Sequence, residues 1–377
     1  MPPRSRRIVL SANSDWNIAN FRGGLVRGLR EAGYEPVVIA PQDPAADSRM
    51  NDLQVERIPV RLDRSGANPV ADLGLMRTYG DLLRKLQPAA YLGFTIKPNI
   101  YGARAAAAQG IPAIPNVSGL GTAFIAGGPM QAIVTRLYRW GFRRAPLIFF
   151  QNHEDRDLFV DRRIVLPRRT RVLPGSGIDL DRFSPAPPTL GPPIFLLVGR
   201  LLRDKGVAEF VEAARIVRKH CPTARFQLLG PIDDGNRTAV DRPQVDSWVT
   251  EGIVEYLGVT DDVRSFIAEA TAVALPSYRE GLPRSLLEAA AMARPLIATD
   301  VPGCRDVVVD GHNGYLCAVR NPASLAEAML RFANLPGEER QAMGEAARRA
   351  VERDFGQDRV IAAYLEALAE VAPLGAI

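Results

Sequence analysis

The sequence predicts two α/β domains in tandem, each built on a parallel sheet. Three observations lead there. Short apolar runs alternate with helix-like stretches along the chain, the pattern of repeated strand–helix units. Residues Gly175 to Pro193 interrupt it with Pro185, Pro187, Pro188, Pro192 and Pro193, a linker composition. After the interruption the alternation begins again. The expected domains are therefore 1–184 and 185–377, and 377 residues suffice for two cores.

In the first half, Arg7–Ala12 reads as a strand. A long polar loop follows, Ser-Ala-Asn-Ser-Asp-Trp-Asn-Ile-Ala-Asn, holding Asn17. In a doubly wound sheet such a loop opens onto the ligand crevice. An amphipathic helix, Phe21–Ala32, is closed by Gly33. Then come strand Glu35–Ala40, helix Leu73–Leu86, strand Ala90–Gly93 and helix Asn99–Gln109. Ala113–Asn116 is a strand running into a Gly-rich loop, Ser118 to Gly128. Helix Met130–Arg144 and the buried strand Leu147–Gln151 complete the half. In the second half the strands are Ile194–Val198, Arg225–Leu229, Val254–Leu257, Ala272–Leu275 and Leu296–Ala298. Three helical stretches end it: Ala323–Phe332, Glu338–Arg353 and Arg359–Val371.

Composition narrows the function classes. Hydrophobic content of 47% and charged content of 24% describe a soluble globular protein. No apolar run approaches the roughly 18–20 residues of a membrane span. The basic start MPPRSRRIVLSANSDW has too short an apolar run for a signal peptide. Cys221, Cys304 and Cys317 lack metal-ligand spacing and suggest a reducing, cytoplasmic compartment. Three histidines rule out a His-rich metal site. Charge is uneven. Residues 1–188 carry 26 Lys/Arg against 16 Asp/Glu, a net +10, and residues 189–377 carry 21 against 26, a net −5. A basic first half suits a polyanionic partner, an acidic membrane surface or nucleic acid, though a solvated basic face gives the same count. No nucleic-acid-binding motif accompanies it, so nucleic acid is not expected as a partner.

One stretch concentrates the chemistry. Pro276 to Ala293 reads Pro-Ser-Tyr-Arg-Glu-Gly-Leu-Pro-Arg-Ser-Leu-Leu-Glu-Ala-Ala-Ala-Met-Ala. It follows a strand, carries Glu280 in a loop, and enters a helix containing Glu288. Pro283 suits the first turn of that helix, where a missing N–H costs nothing. The loop beyond a strand's carboxyl end is where open α/β sheets bind ligands, and a helix start suits an anion. Glu280 and Glu288 stand about two turns apart, so they would grip different parts of one elongated ligand. Two ordinary surface glutamates would show the same spacing.

With this context, PS-x-x-EG-x-P before an Ala-rich helix, the pair resembles the E-x7-E signature of retaining glycosyltransferases of family 4. That resemblance implies the GT-B fold, two Rossmann-like domains facing across a cleft, with the last helix able to cross back to the first domain. It implies an acceptor-binding first domain and a nucleotide-sugar-binding second domain. Val198 to Gly206 reads Val-Gly-Arg-Leu-Leu-Arg-Asp-Lys-Gly, and Arg200 and Lys205 are similar to the family's diphosphate-binding pair. Preplaced cations would stabilise the charge that grows on a departing diphosphate. Glu280 would then orient the donor sugar, and Glu288 would accept from the ribose hydroxyls. Gly281, Leu282 and Pro283, with the turns at Gly230 and Val259, would lie against the donor. For either glycine turn alone, plain turn formation is the stronger reading.

Gly93 to Gly102 and Asn116 to Phe124 are similar to the branch acting on polyprenyl-diphosphate-linked sugars. There Lys97 would bind the acceptor diphosphate. Many family members carry a His in the first-domain loop; here Ser118 is the nearest polar group. Asp155-Arg-Asp157 and Asp179-Leu-Asp181 look like metal motifs, but one opens a charged helix and the other lies in the linker. The family handles leaving-group charge with Arg and Lys, so no metal or other cofactor is expected. Met130 to Phe150 mixes Arg136, Arg139, Arg143 and Arg144 with Leu137, Tyr138, Trp140 and Phe142. That mixture suits an interfacial helix on an anionic bilayer, or a core helix with a basic outer face.

The expected activity is transfer of a sugar from a UDP-sugar to an undecaprenyl-diphosphate-linked sugar, peripheral to the inner face of the cytoplasmic membrane. Two alternatives stay open: a sugar-nucleotide epimerase or hydrolase of the same fold, and a non-catalytic nucleotide- or membrane-binding module.

Overall fold

The computed structural model describes residues 5–63, 68–120, 128–189, 191–233, 235–236 and 238–373. The chain divides into two compact units, residues 1–177 with 357–377, and residues 178–356. The division falls a few residues before 184/185, so residues 178–184 belong with the second unit.

In the first unit, β1 (Arg7–Ser11), β2 (Glu35–Ala40), β3 (Glu56–Pro59), β4 (Ala90–Gly93), β5 (Ala113–Val117), β6 (Ile148–Phe150) and β7 (Thr170–Val172) form a parallel sheet. Its spatial order is β3-β2-β1-β4-β5-β6-β7. The central strands bury both faces, as sheets wound on both sides require. The helix Gln357–Val371 belongs to this unit. Its Tyr364 is fully buried, with its ring 4.8 Å from that of Phe149, and it accepts a hydrogen bond from Asn116 Nδ2 at 2.8 Å. The last helix therefore completes the first unit's core.

In the second unit, β8 (Ile194–Val198), β9 (Arg225–Leu229), β10 (Glu255–Tyr256), β11 (Ala272–Leu275), β12 (Leu296–Thr299) and β13 (Gly314–Cys317) form another parallel sheet, ordered β10-β9-β8-β11-β12-β13. Phe195 and Phe226 stack at 5.4 Å, and Phe210 and Phe332 pack edge-on against them. The two sheets are α/β and doubly wound.

Three strands go beyond the sequence expectation: β3, β7 and β13. All three lie at sheet edges. An edge strand needs no continuous apolar run, and β3 and β7 have none, being exposed or half-buried throughout. The polar loop after β1 is corrected. Asp15–Phe21 is a short helix capped by Ser14, whose Oγ accepts from the Asn17 N–H at 3.2 Å. Asn17 thus sits on a helix, because the Ser-Asp pair supplies an N-cap and a first-turn acid. Residues 121–127 of the Gly-rich loop lie outside the described residues.

Among the described residues no helix is long and apolar enough to cross a membrane. The three cysteines are free.

Candidate active site

The strand order fixes where a ligand can sit in each sheet. Chain direction along the second sheet reverses between β8 and β11, and ligands bind beyond the carboxyl ends of strands at such a switch point. Beyond β8 comes the loop with Arg200 and Lys205. Beyond β11 comes the loop with Glu280. Topology alone therefore brings these residues to one end of one sheet.

Close backbone packing holds the two loops. Gly206 has φ +72°, and a Cβ there would meet the carbonyl oxygen of Pro276 at 2.1 Å. Only glycine allows this conformation and this approach. The Tyr278 N–H donates to the Asp204 carbonyl at 2.9 Å. Gly230, beyond β9, has φ +145° and lies against the Gly199 carbonyl, where a Cβ would be 2.0 Å away. Its N–H donates to Gly258 O at 2.8 Å. The three turns are thus locked together by main chain, and Val259 stands exposed beside them.

Glu280 is the centre of a polar cluster. Its Oε1 accepts from Lys205 Nζ and, at 2.6 Å, from Ser277 Oγ. The Glu280 side chain is 12% exposed and that of Lys205 25%, so the pair is sheltered but reachable. Ser277 is fully buried, and its carbonyl accepts a hydrogen bond from Thr299 Oγ1. Below lies buried Cys304, whose thiol pKa is pushed well up by burial and, second, by the Glu280 charge. Tyr278 points the other way. Its hydroxyl donates to Glu209 Oε1 at 2.6 Å, and the Arg320 guanidinium sits 4.5 Å from its ring. Burial, and then the Glu209 bond, push its pKa up to about 12. This anchors the loop to the helix Val207–His220.

The second carboxylate, Glu288, lies in the helix Arg284–Ala291 and accepts from Arg284 Nε at 2.8 Å. Pro283 is the residue before that helix, not within its first turn, and its carbonyl accepts the Leu286 N–H. Gly281 and Leu282 form the turn between. Arg200 is more exposed than Lys205 and pairs with Asp233 at 3.0 Å. Each of the expected cations and carboxylates in this unit therefore already has an ionic partner.

In the first unit the switch point lies between β1 and β4. Lys97, beyond β4, pairs with Asp72 at 2.7 Å, and both side chains are nearly buried. Asp72 also accepts from the Tyr101 hydroxyl at 2.9 Å. Lys97 is thus held by a carboxylate that the sequence did not mark. Ser118, beyond β5, is exposed and donates to Phe94 O at 3.2 Å. One aspartate of each Asp-x-Asp pair is engaged elsewhere. Asp157 pairs with Arg156, and Asp179 caps the Arg182 N–H.

Sequence reasoning passed over Ser277, Thr299, Tyr278, Asp72 and Asp233. Ser277 had a signal, since it stands in the same short motif as Glu280. The others owe their roles to folding neighbours distant in the chain.

Comparison with known proteins bears on the whole arrangement. Residues 18–175 match the sequence model of a "glycosyl transferase 4-like domain", and residues 192–334 match that of "glycosyl transferases group 1". The chain is 26% identical to a Campylobacter jejuni N,N'-diacetylbacillosaminyl-diphospho-undecaprenol alpha-1,3-N-acetylgalactosaminyltransferase, over 85% of this chain and 88% of that protein. It is 25% identical to an Escherichia coli UDP-Gal:alpha-D-GlcNAc-diphosphoundecaprenol alpha-1,3-galactosyltransferase, over 62% of this chain and 64% of that one. The fold is similar to that of Anabaena HepE, solved in complex with UDP-glucose, with a TM-score of 0.80 at 17% identity over 97% of this chain and 99% of that one. One model falls within the first unit and the other within the second, and the chain belongs to the group 1, 4-like glycosyltransferases, with the GT-B fold.

Proposed function

We propose that this glycosyltransferase moves a sugar, with retention, from a UDP-sugar to a polyprenyl-diphosphate-linked sugar. The observation that carries the reading is the Lys205–Glu280–Ser277 cluster beside the Arg200 loop at the second sheet's switch point. The undecaprenyl-diphosphate substrates in the names of both relatives support the acceptor class.

In this reading Arg200 and Lys205 bind the donor diphosphate. Their charge matters most as the sugar–phosphate bond breaks, because negative charge then gathers on the phosphate oxygen. Glu280 accepts hydrogen bonds from the sugar hydroxyls and orients the ring. Glu288 takes the ribose. The acceptor hydroxyl attacks the anomeric carbon from the face the diphosphate leaves, and the leaving phosphate oxygen takes its proton. One C–O bond breaks, one forms, and configuration is kept. Lys97, Ser118 and Asn17 serve the acceptor side. Arg and Lys carry the leaving-group charge, so the reaction needs no metal.

The test is an assay with a panel of UDP-sugars, with and without a lipid-diphosphate sugar acceptor. Transfer only with acceptor supports the proposal. Epimerised or hydrolysed donor without acceptor supports the rival enzyme, and no turnover at all supports a binding module. The same assay in EDTA should run at an unchanged rate. Complete loss restored by Mg²⁺ or Mn²⁺ would overturn the metal-free chemistry.

The lipid-linked acceptor calls for a membrane surface, and the helix Gly128–Phe142 suits it. Met130, Ile133 and Trp140 are exposed, while Tyr138 and Phe142 turn inward to the core. Arg136, Arg143 and Arg144 are exposed on or just beyond the same helix. Arg139 is different. It donates to the carbonyls of Arg162 and Arg163 and ties the helix down. The docking test therefore changes Arg136, Arg143 and Arg144 to serine. Basic residues near anionic lipid contribute roughly 1 kcal/mol each. Wild type should co-sediment with anionic vesicles at low salt and release at high salt, and the triple variant should stay in the supernatant. Equal sedimentation of both proteins at both salt levels would remove this helix as the docking face.

A further inference from the structure

We infer that Asp233 is a built-in competitor for the donor diphosphate, holding Arg200 between turnovers and hastening release of the nucleoside diphosphate product. This rests on the donor reading proposed above. The pairing is direct, with Arg200 Nη1 3.0 Å from Asp233 Oδ2. It is set by main chain as well as by charge. Pro231 and residues 238–240 are hydrogen-bonded to the Arg200 loop. The Leu201 N–H donates to Pro231 O at 2.9 Å, the Arg203 N–H to Thr238 O at 2.7 Å, and the Val240 N–H to Leu201 O at 2.9 Å. Leu202 and Ala239 form an antiparallel bridge. Asp233 is further pinned by its own turn, its carbonyl accepting the Asn236 N–H at 2.8 Å. Main-chain hydrogen bonds on either side of it thus bring the carboxylate to Arg200.

The two cations of the site are held differently. Lys205 is sheltered, and its partner Glu280 is itself a proposed sugar contact. Arg200 and Asp233 have side chains 55% and 33% exposed. An ion pair this exposed is weak, because water screens it and both side chains lose freedom in forming it. A diphosphate offers more charge and a bidentate fit to the guanidinium, so it displaces Asp233. When the sugar has moved and UDP starts to leave, the waiting carboxylate recaptures Arg200. The arrangement weakens product binding by the small amount the pair is worth.

The experiment is calorimetric titration of the full chain with UDP. Asp233→Asn should bind UDP about two- to five-fold more tightly, the range an exposed pair allows. UDP should also become a stronger product inhibitor by the same factor. In an Arg200→Ala background, Asp233→Asn should change nothing, since the competitor then has no cation to hold. Unchanged or weaker UDP binding in Asp233→Asn would overturn the inference, and weaker binding would mark Asp233 as a donor contact instead. An equal gain with Arg200 absent would also overturn it, reducing the effect to general charge. Failure of the wild type to bind UDP is a separate result. That outcome strikes the donor reading itself.

Discussion

Replacing Lys205 by alanine is expected to lower turnover about 10²–10³-fold without unfolding the protein, the loss typical when one preplaced donor to a developing anion is removed. The expectation has two physical parts. In the proposed mechanism the leaving-group charge loses a sheltered cation. Glu280 also loses the ammonium bound at its Oε1, while the bond from Ser277 Oγ to that atom remains. Arg200→Ala should give a loss of the same order through the first part alone. Steady-state kinetics with a UDP-sugar and a lipid-diphosphate acceptor measure turnover, and a thermal melt checks the fold. Lys205 ends the short 3-10 turn Arg203–Lys205, outside the sheet and its buried apolar core, so its truncation leaves the fold in place. Wild-type turnover in a well-folded Arg200→Ala/Lys205→Ala double variant would remove both residues from the catalytic machinery.

Arg294→Ala should be the most damaging change to stability, by about 3–5 kcal/mol, because buried carbonyls lose their donors and a cavity opens. Arg294 is 3% exposed and has no carboxylate partner among the described residues. Its guanidinium donates to four carbonyls: Ile267 at 3.1 Å, Ala268 at 2.7 Å, Pro187 at 2.6 Å and Ala186 at 3.4 Å. Two belong to the end of the helix Arg264–Glu269, where a cation also meets the negative end of the peptide dipoles. The other two belong to the Pro-rich segment, so this one side chain pins that segment to the second unit. Burial lowers its pKa, the desolvation cost that the carbonyls must offset. In a unit of this size 1 kcal/mol moves the melting midpoint by roughly 2–4 °C, so the second unit's transition should fall by roughly 10 °C. Arg294→Lys should lose less, since an ammonium keeps the charge but cannot fork to both sides. A midpoint unchanged by Arg294→Ala in calorimetry would refute the account.

How much of this was legible in the chain depends on the range of the interaction. Glu35–Ala40, Ala90–Gly93, Ile194–Val198, Arg225–Leu229 and Ala272–Leu275 were read with their observed bounds, because a buried parallel strand is a local apolar run. Edge strands carry a weaker local signal, and β3 and β7 were passed over. The placement of Arg200, Lys205 and Glu280 beyond strand ends was legible because each follows such a run within a few residues. The partners that hold them in the folded chain were not. Nothing near Asp233 in sequence announces Arg200, and nothing near Asp72 announces Lys97; the sheet order brings each pair together. Asn17 was misplaced for a local reason, since Ser14 and Asp15 form a helix start inside what looked like a polar loop. Arg294 is the extreme case. It sits in an ordinary Ala-Arg-Pro turn, and its role exists only once the helix end and the Pro-rich segment converge on it.

The return of the helix Gln357–Val371 to the first unit sets an order on synthesis. Chains usually fold domain by domain from the amino end as they emerge. Here the first unit lacks Tyr364 until the whole second unit has been made. Until then Phe149 and Asn116 have no partner from that helix, and apolar surface that the helix will cover stays open. The second unit, continuous from residue 178 to residue 356, can close first. The earlier-made half is therefore the later to mature, and for that interval it is the part of the nascent chain most dependent on chaperones.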